Sequence, residues 1–436
     1  MNKVGLYTLG CKVSLYETQA IAEAFEAAGF TVRPFDDVCD VYVINTCTVT
    51  AESDAKSRKY IRRAIRKNPE AVVIVIGCYS QRAPDEVAKI EGVSAVIGTA
   101  DKMKCVEIAE NLLNSKFEIR NSKLVRVTSL ENSMFESMCV KSAPRTRAYV
   151  KIEDGCECRC TYCAISAARG PVRSKNPDEV ISEVEGLYKN GTLEIVLTGI
   201  ETGSYGADFN EKYDLADLIC QLDARHSCER IRLGSMAPEL LTEKFVDRIA
   251  DTKIMVPHFH ISMQSGSDNV LRGMKRRYNR AMALKNIKHI REKMPEVMLT
   301  ADLMVGFPGE SEEDFLDTLR FVSEAKLLDA HVFAYSKREG TPAATYENQI
   351  PEQVKRDRSA RLIAECSRVR DQVLESVVKS EKLLSVIVET RKGSTLHGHS
   401  DSYIEVCAES REDKRGELVK VKPEYHKNGI IYGKIV

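Results

Sequence analysis

Three apolar runs constrain this chain more than any other feature: KVGLYTLGC (3–11), DVYVINTC (40–47) and AVVIVIGC (71–78), each ending on a cysteine. Val- and Ile-rich runs without polar alternation suit strands buried on both faces, as in a parallel sheet covered by helices. YETQAIAEAFEAAGF (16–30) has the pattern of such a covering helix, ending at Gly29. The alternation over residues 1–130 therefore predicts an α/β fold with a doubly wound parallel sheet. Open sheets of this kind build sites at the C-terminal ends of their strands. Cys11, Cys47 and Cys78 would meet at that edge, although a strand-end cysteine is also a common small hydrophobe. Taken alone, the three residues leave both readings open.

The rhythm lapses over residues 115–146, and KSAPRTR (141–147), with Pro144 flanked by cations, reads as a linker. A second βα series then runs from Arg147 to Ser336. Its strands are RAYVKIED, LEIVLTG, RIRLGS, HFHIS, LTADLMVGF and DAHVFAYS. Between them lie helical patterns such as PDEVISEVEGLYKNG and SEEDFLDTLRFVSEA, the latter opening on Ser311 and Asp314, a short relative of the capping box. Six such units predict an open, partial (β/α)6 barrel. Residues 351–380 read as one charged helix, and LLSVIVET, DSYIEVCAE and GELVKVK as strands of a small C-terminal all-β barrel. The expected domains are 1–130, 141–375 and 380–436.

Lys+Arg and Asp+Glu both number 64, so affinity for a polyanion must come from local patches. KSRKYIRRAIRK (56–67) carries seven cations and no acid, and Lys275, Arg276, Arg277 and Arg280 form a second cluster. Such stripes hold phosphates or simply face solvent. No apolar run reaches the roughly 20 residues that span a bilayer, and the start MNKVGLYTLGCKVS lacks signal-peptide features. The expectation is no membrane and a cytoplasmic setting. There, clustered thiols among fourteen cysteines bind metal or do redox chemistry.

The densest cluster is DGCECRCTYCAIS (154–166). Cys156, Cys160 and Cys163 make C-x3-C-x2-C, and Cys158, midway between two of them, falls outside that spacing. Zinc motifs favour paired C-x2-C or added histidines, and neither is present. Three thiolates from one loop suit a [4Fe–4S] cube with one iron left open to a small molecule.

At this point the chain resembles the radical S-adenosylmethionine (SAM) superfamily, whose signature is C-x3-C-x-aromatic-C after the first barrel strand. More narrowly it resembles the methylthiotransferases, over nearly its whole length. TLGCKVSLYET, VINTCTVT, VIGCYSQ, EDGCECRCTYCAISAARGPVRS, IVLTGIETGSYG, HFHISMQSGSDNVLRGMKRRY, DLMVGFPGESEEDF and HVFAYSKREGTPAA carry the likeness. The resemblance implies a cluster-binding α/β domain, a partial barrel and an RNA-binding β-domain called TRAM. It also implies two [4Fe–4S] clusters, the auxiliary one on Cys11, Cys47 and Cys78. Around SAM it points to the Tyr162 backbone, to Gly199 and Glu201 in LTGIE, and to Ser235, Gln264 and Phe333. Glu201 is equally readable as an exposed loop carboxylate, and Gly306 and Gly309 as turn formers. Cys39, Cys105, Cys139, Cys220, Cys228, Cys366 and Cys407 fit no ligand spacing and read as structural.

The implied reaction uses SAM twice: as methyl donor to a sulfide, and as source of a 5′-deoxyadenosyl radical that activates a carbon for the methylthio group. A low-potential electron donor such as a flavodoxin is implied as partner. GCKV…YET and ARGPVRS resemble the class acting on N6-threonylcarbamoyladenosine-37 in the anticodon stem-loop of tRNA. The alternatives are N6-isopentenyladenosine-37 and an aspartate of a ribosomal protein. Outside enzymes, the alternative is an iron–sulfur RNA-binding protein. Ser14, Ser166 and Ser262 depart from the family wording without touching an expected ligand.

Overall fold

The computed structural model describes residues 1–114, 123–143 and 146–436. Pro144 and Arg145, the centre of the expected linker, lie outside the described residues.

Six strands form the first sheet: β1 (Lys3–Thr8), β2 (Thr31–Arg33), β3 (Val41–Thr46), β4 (Val72–Gly77), β5 (Ala95–Ile97) and β6 (Leu124–Arg126). They pair in parallel in the order β2-β1-β3-β4-β5-β6. The winding reverses between β1 and β3, as in a doubly wound fold. Every position of β3 and β4 is buried, which accounts for their unbroken β-branched runs. β6 falls in the stretch where the sequence rhythm lapses. Its three residues are exposed at the sheet edge, so no apolar signal marks it.

The first helix spans Lys12–Ala27 and starts four residues before the YETQ pattern. Its buried Tyr16 and Ala20 pack into the core of the second unit rather than only onto their own sheet. Cys11, at the N-cap of this helix, is thereby brought to the barrel.

The second unit holds β7 (Arg147–Lys151), the short antiparallel pair β8 (Glu153–Asp154) and β9 (Arg173–Ser174), then β10 (Glu194–Thr198), β11 (Arg230–Leu233), β12 (Ser235–Met236), β13 (His258–Gln264), β14 (Met298–Val305) and β15 (Asp329–Ala334). Parallel pairing runs β11-β10-β7 in one sheet and β12-β13-β14-β15 in the next. RIRLGS, expected as one strand, breaks at Gly234, where a Cβ would meet Thr202 Oγ1 at 2.6 Å. Ser311 and Asp314 form a complete capping box, each side chain bonded to the other's backbone N–H.

A single helix, Glu352–Ser380, joins two cores. Leu362, Cys366 and Val369 pack with the barrel, and Leu374 and Val377 with the last unit. That unit is a closed five-stranded barrel of β16 (Leu384–Lys392), β17 (Thr395–Ser400), β18 (Glu405–Glu409), β19 (Leu418–Lys427) and β20 (Ile430–Ile435). β17 and β20 escape the sequence reading. TLHGHS is polar and glycine-containing, with backbone crowding at Gly398, where a Cβ would stand 2.0 Å from Ile387 O. Among the described residues, no helix is long and apolar enough to cross a membrane.

Candidate functional site: two cysteine sets across one interface

Cys11, Cys47 and Cys78 follow the C-terminal ends of β1, β3 and β4, adjacent strands of the first sheet. Cys11 and Cys47 flank the reversal point, where such sheets leave a crevice for ligands. Gly10, at φ +123°, lies so close that a Cβ on it would stand 3.5 Å from Cys47 Sγ. Cys11 is exposed, whereas Cys47 and Cys78 are buried. Burial pushes the Cys78 thiol up to about 11, while the neighbouring Arg169 guanidinium acts against it. Arg169 Nε donates to Cys78 Sγ at 3.1 Å.

Cys156, Cys160 and Cys163 occupy the loop between β8 and a short helix, Ile165–Arg169. Cys163 N–H donates to Cys160 O at 3.0 Å, closing a turn. Arg276 Nη1 donates to Cys160 Sγ at 3.1 Å, and Ile165 N–H to Cys163 Sγ at 3.4 Å. Donors aimed at sulfur favour the thiolate, which is the ligand form. The neighbouring Cys158, together with burial, pushes the Cys156 thiol up.

Arg169 ends the helix that begins two residues after Cys163, so this one side chain links the two sets. Its Nη1 donates to Glu17 Oε1 at 2.6 Å and Asp154 Oδ2 at 3.1 Å. Lys151 Nζ meets the same two carboxylates at 3.0 and 2.6 Å, and Lys102 Nζ meets Glu17 at 2.8 Å. None of these five side chains is more than 4% exposed, and buried charges persist only when paired in this way. Burial alone would raise the Glu17 carboxyl, yet Arg169, Lys102 and Lys151 hold it well below the usual range. The knot pins the first helix of the N-terminal sheet onto β7 of the barrel.

Among the described residues, no three His, Cys, Asp or Glu side chains are close enough to hold a single metal ion. A cube-shaped cluster spaces its ligands wider than one ion does. Two thiol sets on neighbouring backbone positions, with N–H and guanidinium donors at their sulfurs, fit such a group.

The expected SAM contacts gather at the strand ends around the second set. Glu201 is only 5% exposed, so its reading as an exposed loop carboxylate is corrected. Its Oε1 accepts from Ala237 N–H at 3.1 Å, and burial pushes its carboxyl up to about 8. Gly199 has a packing reason: a Cβ there would meet Glu153 Oε2 at 2.4 Å. That oxygen accepts from the N–H groups of Ile200 and Glu201 at 2.8 and 3.0 Å. Ser235 Oγ lies 2.5 Å from Ser262 Oγ, so the departure at Ser262 supplies a partner for an expected site residue. Gln264 is buried at φ +65°, where the β13–β14 register shifts. Tyr162 and Phe333 pack against one apolar cluster that includes Met274, Met304 and Phe307. Gly306 and Gly309, at φ +71° and +84°, do form a turn.

Residues 3–98 match the model of the uncharacterized protein family UPF0004, and residues 150–322 that of the radical SAM superfamily. The threonylcarbamoyladenosine tRNA methylthiotransferase MtaB of Bacillus subtilis is 40% identical over 97% of this chain and 94% of its own length. Its namesake from Aquifex aeolicus is 34% identical over 96% and 99%. A tRNA-2-methylthio-N(6)-dimethylallyladenosine synthase of Carboxydothermus hydrogenoformans is 32% identical over 96% and 95%. The chain belongs to the radical SAM tRNA methylthiotransferases. The solved radical SAM methyltransferase TsrM of Kitasatospora setae, with cobalamin and a [4Fe–4S] cluster bound, shares the fold. Its TM-score is 0.59 at 17% identity, covering 79% of this chain and 77% of that one.

Within this methylthiotransferase, sequence reasoning missed Glu153, Arg169 and Arg338. Arg338, after β15, donates to Thr48 Oγ1 at 2.7 Å and Asp54 Oδ2 at 2.6 Å, clamping the barrel to the loop after Cys47. The words ARGPVRS and HVFAYSKREG contain these arginines, but their partners lie 152 and 290 residues away. The second basic cluster is mostly engaged within the chain: Arg276 serves Cys160, the exposed Arg277 donates to Glu157 O, and Arg280 pairs with Asp317 and Glu324. In the first, Lys59, Arg62, Arg66 and Lys67 are exposed, with no ion-pair partner among the described residues. Of the seven cysteines read as structural, five are buried, but Cys220 is part-buried and Cys139 exposed.

Proposed function

We propose that this chain adds a methylthio group to C2 of N6-threonylcarbamoyladenosine at position 37 of tRNA. It would act in the cytoplasm on the anticodon stem-loop, using SAM, two [4Fe–4S] clusters and a low-potential electron donor such as a flavodoxin. The proposed ligands are Cys156, Cys160 and Cys163 for one cluster and Cys11, Cys47 and Cys78 for the other. The supporting observation is the meeting of the two cysteine sets at one interface, through the helix Ile165–Arg169. The groups these thiols would hold supply one-electron and sulfur chemistry that amino-acid side chains lack.

The chain's own task is to bind, orient and keep out water. Glu201, with Gly199, Ser235, Gln264, Phe333 and the Tyr162 backbone, is proposed to hold SAM. A carboxyl raised by burial ionises readily once an ammonium such as that of SAM arrives beside it. The units 1–130, 141–375 and 380–436 are proposed as auxiliary-cluster, radical SAM and RNA-binding domains. Exposed cations on the helix Ala51–Lys67 offer phosphate contacts. Tyr425 and Tyr432, stacked at 4.9 Å with Tyr425 53% exposed, offer a face for an unpaired base.

Relatives named for threonylcarbamoyladenosine at 40% and 34% identity favour this substrate over the dimethylallyl one. Mass spectrometry of tRNA nucleosides after expression in a host lacking its own enzyme tests it. The expected product is 2-methylthio-N6-threonylcarbamoyladenosine. Methylthio-isopentenyladenosine alone would overturn the substrate. A fully loaded, reduced protein that releases no 5′-deoxyadenosine would leave only an iron–sulfur RNA-binding protein.

A further inference from the structure

A cleft of about 650 Å³ is lined from all three units: Lys12 from the first helix, Arg232, His258, His260, Thr300 and Asp302 from the barrel strands, and Tyr403 from the small barrel. That volume is typical of a small-molecule site, and none of these residues has a role in the reaction as described above.

Strand alternation places the cleft relative to the cysteines. His258, His260 and Ser262 share one face of β13, two residues apart. Ser262 bonds Ser235 through its hydroxyl, and its carbonyl accepts from Arg276, the side chain that holds Cys160. Four residues at about 3.3 Å each set His258 about 13 Å from that level. On the other side, Lys12 directly follows Cys11. The cleft thus adjoins the first helix beside Cys11 and lies deeper than the barrel mouth.

Its polar groups are out of balance. Arg232 spends Nε and Nη2 on Glu194 at 2.9 and 3.0 Å, but its Nη1 is buried without a partner. His258 Nε2 meets Thr300 Oγ1 at 3.0 Å, whereas its Nδ1 is also buried and unpartnered. Both residues are 2% exposed. Lys12 has no ion pair or hydrogen bond among the described residues. The acids are already engaged: Asp302 by His260 and His331 at 3.1 and 3.2 Å, Asp329 by Arg370 at 3.5 Å, while Glu405 is solvent-exposed. A buried guanidinium N–H left empty is costly, so with Lys12 beside it this lining is complementary to an incoming anion.

We infer that the cleft receives the carboxylate carried by the N6 substituent of the target adenosine, with Lys12 and Arg232 as its cationic contacts. This rests on the substrate reading above. Threonine attached through its nitrogen keeps a free carboxylate, several bonds out from the adenine ring, and a pocket set back from the reacting carbon can meet it. An isopentenyl group offers nothing to these donors and leaves them buried and empty. The cleft therefore discriminates between the two classes of modified adenosine.

Three synthetic anticodon stem-loops test this, differing only at adenosine-37: threonylcarbamoyl, its methyl ester, and unmodified. Binding is measured on the anaerobically loaded, full-length protein. The wild type should prefer the acid over the ester by on the order of tenfold, the scale of one charge-assisted hydrogen bond. Lys12→Gln should erase that preference and leave affinity for the unmodified RNA intact. Equal weakening of all three RNAs by Lys12→Gln would mean that a backbone phosphate occupies the cleft, overturning the carboxylate assignment. Indifference of the wild type to acid and ester would overturn it as well. His258→Phe, remote from the cysteines, should also lower the preference, and it decides the matter if Lys12→Gln loses iron. A wild type that makes the threonylcarbamoyl product yet binds acid and ester equally sinks only this inference. One that modifies only isopentenyladenosine sinks the substrate reading itself.

Discussion

Cys156, Cys160 and Cys163 come from eight consecutive residues of one loop, whereas Cys11, Cys47 and Cys78 come from the ends of three strands and span 68 residues. The first set needs only a local turn and the donors Arg276 and Ile165 to converge. The second converges only if β1, β3 and β4 are paired in register and the sheet is docked through Arg169. The loop set borrows one distant donor, Arg276, whereas every member of the distributed set depends on the sheet.

The largest expected effect separates the two sets outright. Cys160→Ala and Cys78→Ala should each lose about half of roughly eight irons. Only Cys160→Ala should also abolish release of 5′-deoxyadenosine, measured by chromatography. Cys78→Ala should keep that release while losing the methylthio product. Loss of both activities in both variants would break the contrast drawn here.

Arg169→Met sharpens it next. Removing one member of a buried charge knot leaves Glu17 and Asp154 under-compensated, at a cost of about 3–5 kcal/mol in urea unfolding of the iron-free protein. Iron loss should begin with the distributed set. The pH response follows from linkage. Glu17 is held well below its ordinary 4.5, so the stability it contributes is present above that value and is lost as pH falls below it. Wild-type unfolding should steepen below about pH 4.5, and Arg169→Met should flatten that acid limb.

A smaller effect is expected on the exposed face of the helix after Cys47. Lys59→Gln with Arg62→Gln should lower the slope of log affinity for tRNA against log salt by about 0.7–0.9 per lost phosphate contact. Thermal stability should stay within about 0.5 kcal/mol, as for other surface changes. Smallest of all is Cys158→Ala, which should retain full iron content and an unchanged visible absorbance band. A loss of iron there would mean that the register C-x3-C-x2-C picks the wrong three thiols.

The ease of reading differed in the same way between the two sets. The loop set, the parallel sheet and the partial barrel were legible because their signals are short-range: fixed cysteine spacing, unbroken β-branched runs and alternating βα patterns. β6 and β17 were not, because exposed or glycine-rich strands owe their place to neighbours rather than to apolar content. The sequence left Glu201 open between a SAM contact and an exposed loop carboxylate, since nothing in LTGIE foretells the Ala237 N–H that meets it in a buried setting.

By itself, the sequence determined which cysteines have the spacing of proposed cluster ligands and which strands must be buried, since both follow from residue type and spacing along the chain. Only the tertiary structure decided that Arg169 ties Cys78 to Glu17, that Arg338 clamps the loop after Cys47, and that Lys12, Arg232 and His258 share one cleft. Those contacts join residues far apart in the chain. Their energy comes from pairing buried charges and donors, and folding alone brings such groups together.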